Sequence, residues 1–409
     1  MTTLRIAVRR FDGFERAIRQ QWASYTASSG STSDLEIVML DLNPLTEALF
    51  TSGGLRDGTW DIAFVVTDWI AEAVANGDLL DLAPFIAQNP PPDYPAGWVP
   101  VLTRFQQFGE AIYGLPYHDG PECLIYRTDL FADPTEQTIF ADRFGYPLAV
   151  PTTWAQYRDI AVHFTRPDGG LSGTIFAAYP DGHNSVYDFC LQLWSRGGEL
   201  TDTSGAVTIA TPEAIAALTW YREMVADRTV TPPGQEAVDS VRSGEHFANG
   251  EIAMMVNWFG FAAYCEQPDA AVKGKVGIAP IPSDPGIPPA SLIVYWVLAI
   301  GSGSRHADEA YAFICHCLTP ACDRITTFEG GIGCRRSTWT DPEVNTRIPF
   351  YHRLADLHEG TRELPRSRTF PALVHIIDRA VQEAITTSEP TAAILARAQA
   401  AAASIDLEA

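Results

Sequence analysis

Residues 4–9 (LRIAVR) are a short, mainly apolar run, and apolar residues then recur at helical spacing over residues 14–27. That order predicts a strand followed by an amphipathic helix. The alternation continues with a strand at 35–41, a helix at 45–55, a strongly apolar strand at 61–66 and a short helix at 69–76. Strands alternating with helices predict an α/β layer with a parallel sheet. Pro90, Pro91 and Pro92 mark an irregular surface loop beyond it.

Residues 112–117 and 123–127 read as two short strands. Between them His118-Asp119-Gly120-Pro121-Glu122 forms a break that suits a chain leaving one lobe for another. Residues 128–250 are mostly helical. A helix at 154–164 opens after Thr152-Thr153, one at 185–196 is closed by Gly197-Gly198, one at 211–227 has proline in its first turn, and another covers 238–249. Strand character returns at 252–257. Residues 276–280 offer a second crossing, followed by a strand at 292–300 and a helix at 307–318. The tail is helical and ends in an alanine-rich stretch at 392–404. An α/β layer, a helical block and a second α/β return predict two discontinuous lobes, residues 1–117 with 281–320 and residues 118–280 with 321–409.

Composition narrows the function. Hydrophobic residues make up 46% of the 409 and charged residues 19%, which is ordinary globular material. The formal net charge of -22 disfavours nucleic acid and anionic membranes as partners. The only lysines are Lys273 and Lys275. No apolar run is long enough to span a bilayer; the longest, about 290–300, reads as a buried strand. The first residues enter a strand directly, with no basic segment and apolar core of a signal peptide. Four of the seven cysteines cluster late, at Cys315, Cys317, Cys322 and Cys334. Their spacing does not match paired metal ligands, so they read as buried thiols, with Cys322–Cys334 as a candidate disulfide.

Gly301-Ser-Gly303-Ser-Arg-His306 follows a strand and precedes a helix, but His306 stands where a dinucleotide site needs its third glycine. It reads as an ordinary turn. Phosphate-loop, serine-nucleophile and zinc-protease motifs are absent. Asp119 and Glu122 are close in sequence, a weak sign of the two carboxyls that a glycosidase sets across a bond.

In open α/β sheets, ligands bind beyond the carboxyl ends of strands. Those positions carry Asp12, Asp68 with Trp69, His118 with Asp119, and Asn257 with Trp258; Trp296 lies nearby. Sugars present hydroxyls at their edges and apolar faces, so they suit carboxylates and amides around an aromatic floor. Each residue also has a bland reading. Asp12 and Asp68 could be helix caps. Trp296 could be a core side chain, and Trp69 could staple a helix start. Arg335 and Arg336 follow Gly330-Gly331-Ile332-Gly333, so they could present a cation to a ligand or form a solvated pair.

Several ordered stretches resemble the extracellular solute-binding proteins of ABC importers, the family-1, maltose-binding-like group. They are residues 60–69 (WDIAFVVTDW) with 77–82 (GDLLDL), 113–117 (YGLPY) with 124–131 (LIYRTDLF), and 151–154 (PTTW). Later come 193–200 (LWSRGGEL), 247–258 (FANGEIAMMVNW) and 330–337 (GGIGCRRS). The resemblance implies the two-lobed periplasmic-binding-protein type II architecture, with a ligand cleft between discontinuous lobes. It implies capture of a small polyhydroxylated solute, a sugar or polyol, by hinge closure. It implies a cognate ABC permease as partner, a monomer, a periplasmic or membrane-associated extracellular setting, no catalysis, no metal and no cofactor. It places ligand contacts near Asp12, at Asp68 and Trp69, at His118, Asp119 or Glu122, near Asn184 and Tyr187, and at Trp258 and Arg335. A glycoside-processing enzyme and a binding protein for a cationic or phosphorylated solute stay as alternatives.

Overall fold

The amphipathic pattern after the first strand becomes the helix Asp12–Ser29, which buries Phe14, Ala17, Ile18, Gln21 and Tyr25 along one face. It ends at Gly30, held at φ 72° with its N–H on the Thr26 carbonyl, a left-handed cap that glycine adopts without penalty. The computed structural model describes residues 2–407. It divides into two compact units. One runs to Gly120 and resumes over Val294–Ala355; the other is Pro121–Ile293 with the chain from Asp356 onward.

The first unit is built on a five-stranded sheet, ordered Asp34–Leu40, Thr3–Arg9, Ile62–Val66, Trp296–Ile300 and Leu115–His118. The first three strands are parallel, and Trp296–Ile300 runs antiparallel to both its neighbours. All five residues of Ile62–Val66 are buried, as a central strand covered on both faces requires. Each such apolar side chain contributes about 1.5–3 kcal/mol by leaving water. Phe64 packs between Phe14 and Tyr117, with ring centroids 5.2 and 5.1 Å away.

The second unit holds a three-stranded antiparallel sheet with Glu122–Arg127 in the middle, flanked by Met254–Trp258 and Val276–Ala279. Helices dominate the rest. Asn184–Trp194 is buried almost all round and packs against Pro212–Ala226 and Phe370–Thr386. Trp154–Phe164 opens with Thr153 and Gln156 in a reciprocal capping box. Pro212 fills the first turn of its helix, where its missing N–H costs nothing, and Thr211 caps it.

The structure differs from the sequence expectations at several points. The apolar run at 292–300 is not one strand. Ser291–Leu292 pairs with Thr361–Arg362 in the second unit, Trp296–Ile300 joins the first, and the chain passes between units at Ile293 and Val294. Burial at both ends made two short strands look like one long one. Residues 321–355 belong to the first unit rather than the second. The reason is Gln21, fully buried, whose amide donates to the Cys322 carbonyl at 3.0 Å and Thr326 Oγ1 at 2.9 Å. This ties the helix Pro320–Phe328 to Asp12–Ser29. The expected helix at 45–55 is shorter: Leu42–Thr46 widens through Glu47–Thr51, where the Ser52 N–H reaches the Glu47 carbonyl, and turns follow.

The expected strand at 112–117 is broken at Gly114, which holds φ 130° and approaches Val297 so closely that a Cβ there would sit 2.7 Å from its side chain. All seven cysteines are buried free thiols, so the candidate disulfide Cys322–Cys334 is not formed. Burial pushes the Cys265 thiol up to about 12, the behaviour of a core side chain and not of a reactive thiolate. The Gly301–His306 segment is a structural turn. A Cβ on Gly303 would fall 2.0 Å from the Arg56 carbonyl, and Ser304 Oγ donates to Asp61 at 2.6 Å.

Candidate functional site

In the first unit, sheet register brings several polar and aromatic side chains to one edge. Trp296 lies opposite Val66 on one side and His118 on the other. The carboxyl end of Ile62–Val66 therefore delivers Thr67, Asp68 and Trp69 beside them. That turn is pinned by two hydrogen bonds: the Thr67 N–H donates to the Tyr295 carbonyl at 3.0 Å, and the Tyr295 N–H donates to Thr67 Oγ1 at 3.2 Å. Trp69 and Trp296 meet edge to face, 5.7 Å apart at 85°, and Phe50 backs Trp69 at 5.7 Å. Both tryptophans are half-buried.

His118 has a defined protonation state. Its Nδ1 accepts the Ile332 N–H at 2.8 Å, while the Asp119 N–H donates to the Ile332 carbonyl at 3.1 Å. Burial pulls the imidazole pKa down to about 4 against the opposing pull of Asp119. At neutral pH the ring is uncharged and its proton sits on Nε2, which makes it a donor of fixed direction. Phe14 supports it edge-on at 4.8 Å. Asp119 is only 2% exposed. Asp12 is the exposed first residue of its helix.

The second unit gathers its own group where three elements meet. Glu122 opens the central strand and lies in register with Trp258 at the end of the next. The helix Asn184–Trp194 brings Asn184, Tyr187 and Asp188 to one face, since residues three and four apart are neighbours there. Tyr187 and Trp258 contact edge to face at 5.7 Å and 88°. Asp181 holds the helix start, accepting from the Asn184 N–H at 3.0 Å and the Asn184 amide at 2.5 Å. His183 Nδ1 and the Tyr187 hydroxyl are 2.6 Å apart.

Two expected contacts take structural places instead. Asn257 is buried, with its amide nitrogen donating to the Ser240 carbonyl and Ser243 Oγ at 3.0 and 2.9 Å, and its Oδ1 accepting the Trp258 N–H. It positions Trp258. Arg335 does not present a cation to a ligand. It is 1% exposed and donates to the Pro92 and Leu318 carbonyls, each at 2.9 Å, and to Asp93 at 2.6 Å. Its guanidinium lies over Trp98 at 4.5 Å. Arg336 is the exposed member of that pair.

Asp188 was not singled out from sequence. Its signal was available: it is the one charged residue in an otherwise uncharged helix, Asn184–Trp194. Burial and the nearby Asp181 push its carboxyl up to about 7. Burial and Asp188 together raise Glu122 well above the usual carboxylate range. Among the described residues, no three His, Cys, Asp or Glu side chains are grouped to hold a metal ion. No helix there is long and apolar enough to cross a membrane.

Two α/β units linked by repeated chain crossings, one displaying the half-buried Trp69 and Trp296 and the other the half-buried Trp258, each with polar groups at strand and helix ends, suit a solute-binding class of protein. The model of the bacterial extracellular solute-binding proteins matches residues 44–321, and the chain belongs to that family. A probable ABC transporter-binding protein of Deinococcus radiodurans is 24% identical over 278 residues. That match covers 66% of this chain and 62% of the relative, less than two-thirds of the latter's length. Among solved structures, an ABC transporter solute-binding protein from Agrobacterium radiobacter K84 in complex with ribitol superimposes with a TM-score of 0.85, at 24% identity and 98% coverage of both chains. Maltose-bound MalE3 of T. maritima gives 0.85 at 22% identity and the same coverage. At such identities the likeness is one of fold.

Proposed function

We propose that this chain is the solute-binding component of an ABC importer and that its ligand is a sugar or polyol. The observation that carries the reading is the pair of aromatic faces. Trp69 with Trp296 in one unit, and Trp258 backed by the buried Tyr187 in the other, offer half-buried tryptophan rings at strand ends. Each is bordered by groups that suit hydroxyls: neutral His118 and Asp68 in the first unit, Asn184 and Asp188 in the second. An aromatic contact of this kind is worth about 0.5–1.5 kcal/mol beyond the area it buries, and a hydrogen bond to a charged group adds roughly 1.5–3 kcal/mol. The ribitol and maltose complexes of similar fold support the same ligand class.

Capture proceeds by hinge closure. The ligand favours the conformation in which both faces reach it, and its differential affinity for that state drives the change. A cognate membrane permease then receives the loaded form. The chain works as a monomer in the periplasm or at the cell surface and binds without chemical turnover. Asp12, Asp68, Trp69, His118, Asp119, Glu122, Asn184, Tyr187, Trp258 and Trp296 form the proposed ligand set, with Asn257 acting through Trp258.

Thermal-shift screening against mono-, di- and oligosaccharides and polyols tests this. One member at about a hundredfold over its Kd would stabilise the protein by about 2.7 kcal/mol. The shift should shrink in Trp258→Ala. A panel in which no sugar or polyol raises the melting temperature contradicts the reading.

A further inference from the structure

The second unit buries two carboxyls against each other. Glu122 is 4% exposed, and Asp188, half-buried, is the member that reaches solvent. Glu122 Oε2 and Asp188 Oδ2 are buried and find no hydrogen-bond partner among the described residues. Both adjoin the aromatic contact of Tyr187 and Trp258 in the chain: Asp188 follows Tyr187 in the helix, and Glu122 lies opposite Trp258 in the sheet.

The surroundings offer no cation to them. The groups that act on the pair are Asp181, before the helix, and Tyr221, from Pro212–Ala226, whose hydroxyl lies beside Asp188 and pulls its carboxyl back down against burial. Asp378, from Phe370–Thr386, accepts from Ser185 Oγ at 2.5 Å, and Cys190 lies one turn on. His183 is engaged with Tyr187. Arg362 approaches Cys190 from its strand but is paired with Glu199 and stacked on Trp194. Two buried like charges without a counter-charge are costly to ionise together. A ligand that brings a positive charge removes that cost, and a neutral one does not.

We propose that Asp188, backed by Glu122, is a specificity-determining anionic contact that selects a polyhydroxylated solute carrying an ammonium group, an amino sugar or amino polyol. The assignment rests on the sugar-or-polyol reading above. An ammonium at Asp188 would take the position of the proton that the empty pair retains, so its binding releases that proton and strengthens as pH rises through about 7.

The test is titration calorimetry on the full chain with matched pairs: D-sorbitol against 1-amino-1-deoxy-D-sorbitol, D-glucose against D-glucosamine, and maltose against its amino counterpart. At least one amino member should bind about tenfold or more tighter than its neutral partner, a difference of about 1.4 kcal/mol. The preference should widen from about pH 6 to pH 7, where the ligand amine stays protonated, and disappear in Asp188→Asn. That variant relieves a buried charge and should melt no lower than the parent. Glu122→Gln, with Asp188 intact, should reduce the preference without abolishing it. Neutral members binding as well as or better than their partners would overturn the proposal and leave the sugar-or-polyol reading standing. Binding of no member would overturn both. An amino preference that survives in both variants would overturn the assignment to these residues.

Discussion

The aromatic faces of the two units are alike in geometry and opposite in electrostatics. Trp69 and Trp296 meet at 85°, Tyr187 and Trp258 at 88°, with the same 5.7 Å between centroids. Beside the first pair stands an imidazole that burial keeps neutral; beside the second stand carboxyls that burial drives toward protonation. The lesson is that burial neutralises a base and an acid alike, but with opposite dependence on pH. The first face is then a neutral donor, and the second a reservoir of protons that a ligand can displace.

The largest expected effect separates structure from binding. Arg335→Ala removes donors to two carbonyls and a cation over Trp98 and should destabilise the protein by about 2–4 kcal/mol. Denaturant unfolding measures it, and ligand affinity in the folded fraction should stay near the parent's. A loss of affinity with unchanged stability would return Arg335 to the ligand set.

Next come the rings. Trp296→Ala and Trp258→Ala should each weaken ligand binding about tenfold, or about 1.4 kcal/mol. Calorimetry that finds only one of them important would make the comparison lopsided.

The pH dependences follow, with opposite signs. His118 has its folded pKa lowered from 6.5 to about 4, so its contribution to stability is present above 6.5 and is lost as pH falls toward about 4. Asp188 has its folded pKa raised from 3.8 to about 7, so its contribution is present below 3.8 and is lost as pH rises toward about 7. Melting curves across this range should therefore tilt one way in His118→Asn and the other way in Asp188→Asn. Equal slopes in both variants would break the comparison. The smallest effect is Thr153→Ala, which removes a helix cap of the second unit and should cost about 1 kcal/mol in unfolding experiments, with ligand affinity unchanged.

Much of the framework was legible because local rules agreed with the fold. The apolar stretches at 4–9 and 61–66 became the strands Thr3–Arg9 and Ile62–Val66, and the helix at 154–164 has those bounds in the structure, with Thr153 and Gln156 defining its start. The aromatic residues at strand ends were legible for the same reason, since a strand's end fixes where its next residues lie. What failed depended on contacts distant in sequence. Gln21, itself a helix residue, helps tie the helix Pro320–Phe328 to the first unit. Trp98 and Leu318 enclose Arg335, although a charged pair after a glycine turn looks exposed. The run at 290–300 gave only apolarity, which does not tell one buried strand from two in different units. Asp188 was overlooked because helical periodicity reports which face is apolar, not which acid is trapped on it.

The proposed function requires one solute to use both aromatic faces. Titration calorimetry of the best ligand from the sugar and polyol panel against the parent, Trp296→Ala and Trp258→Ala tests it most directly. The account predicts saturable one-to-one binding to the parent and a loss of about tenfold or more in each variant. Parent-like affinity in either variant, with the melting temperature unchanged, would contradict it.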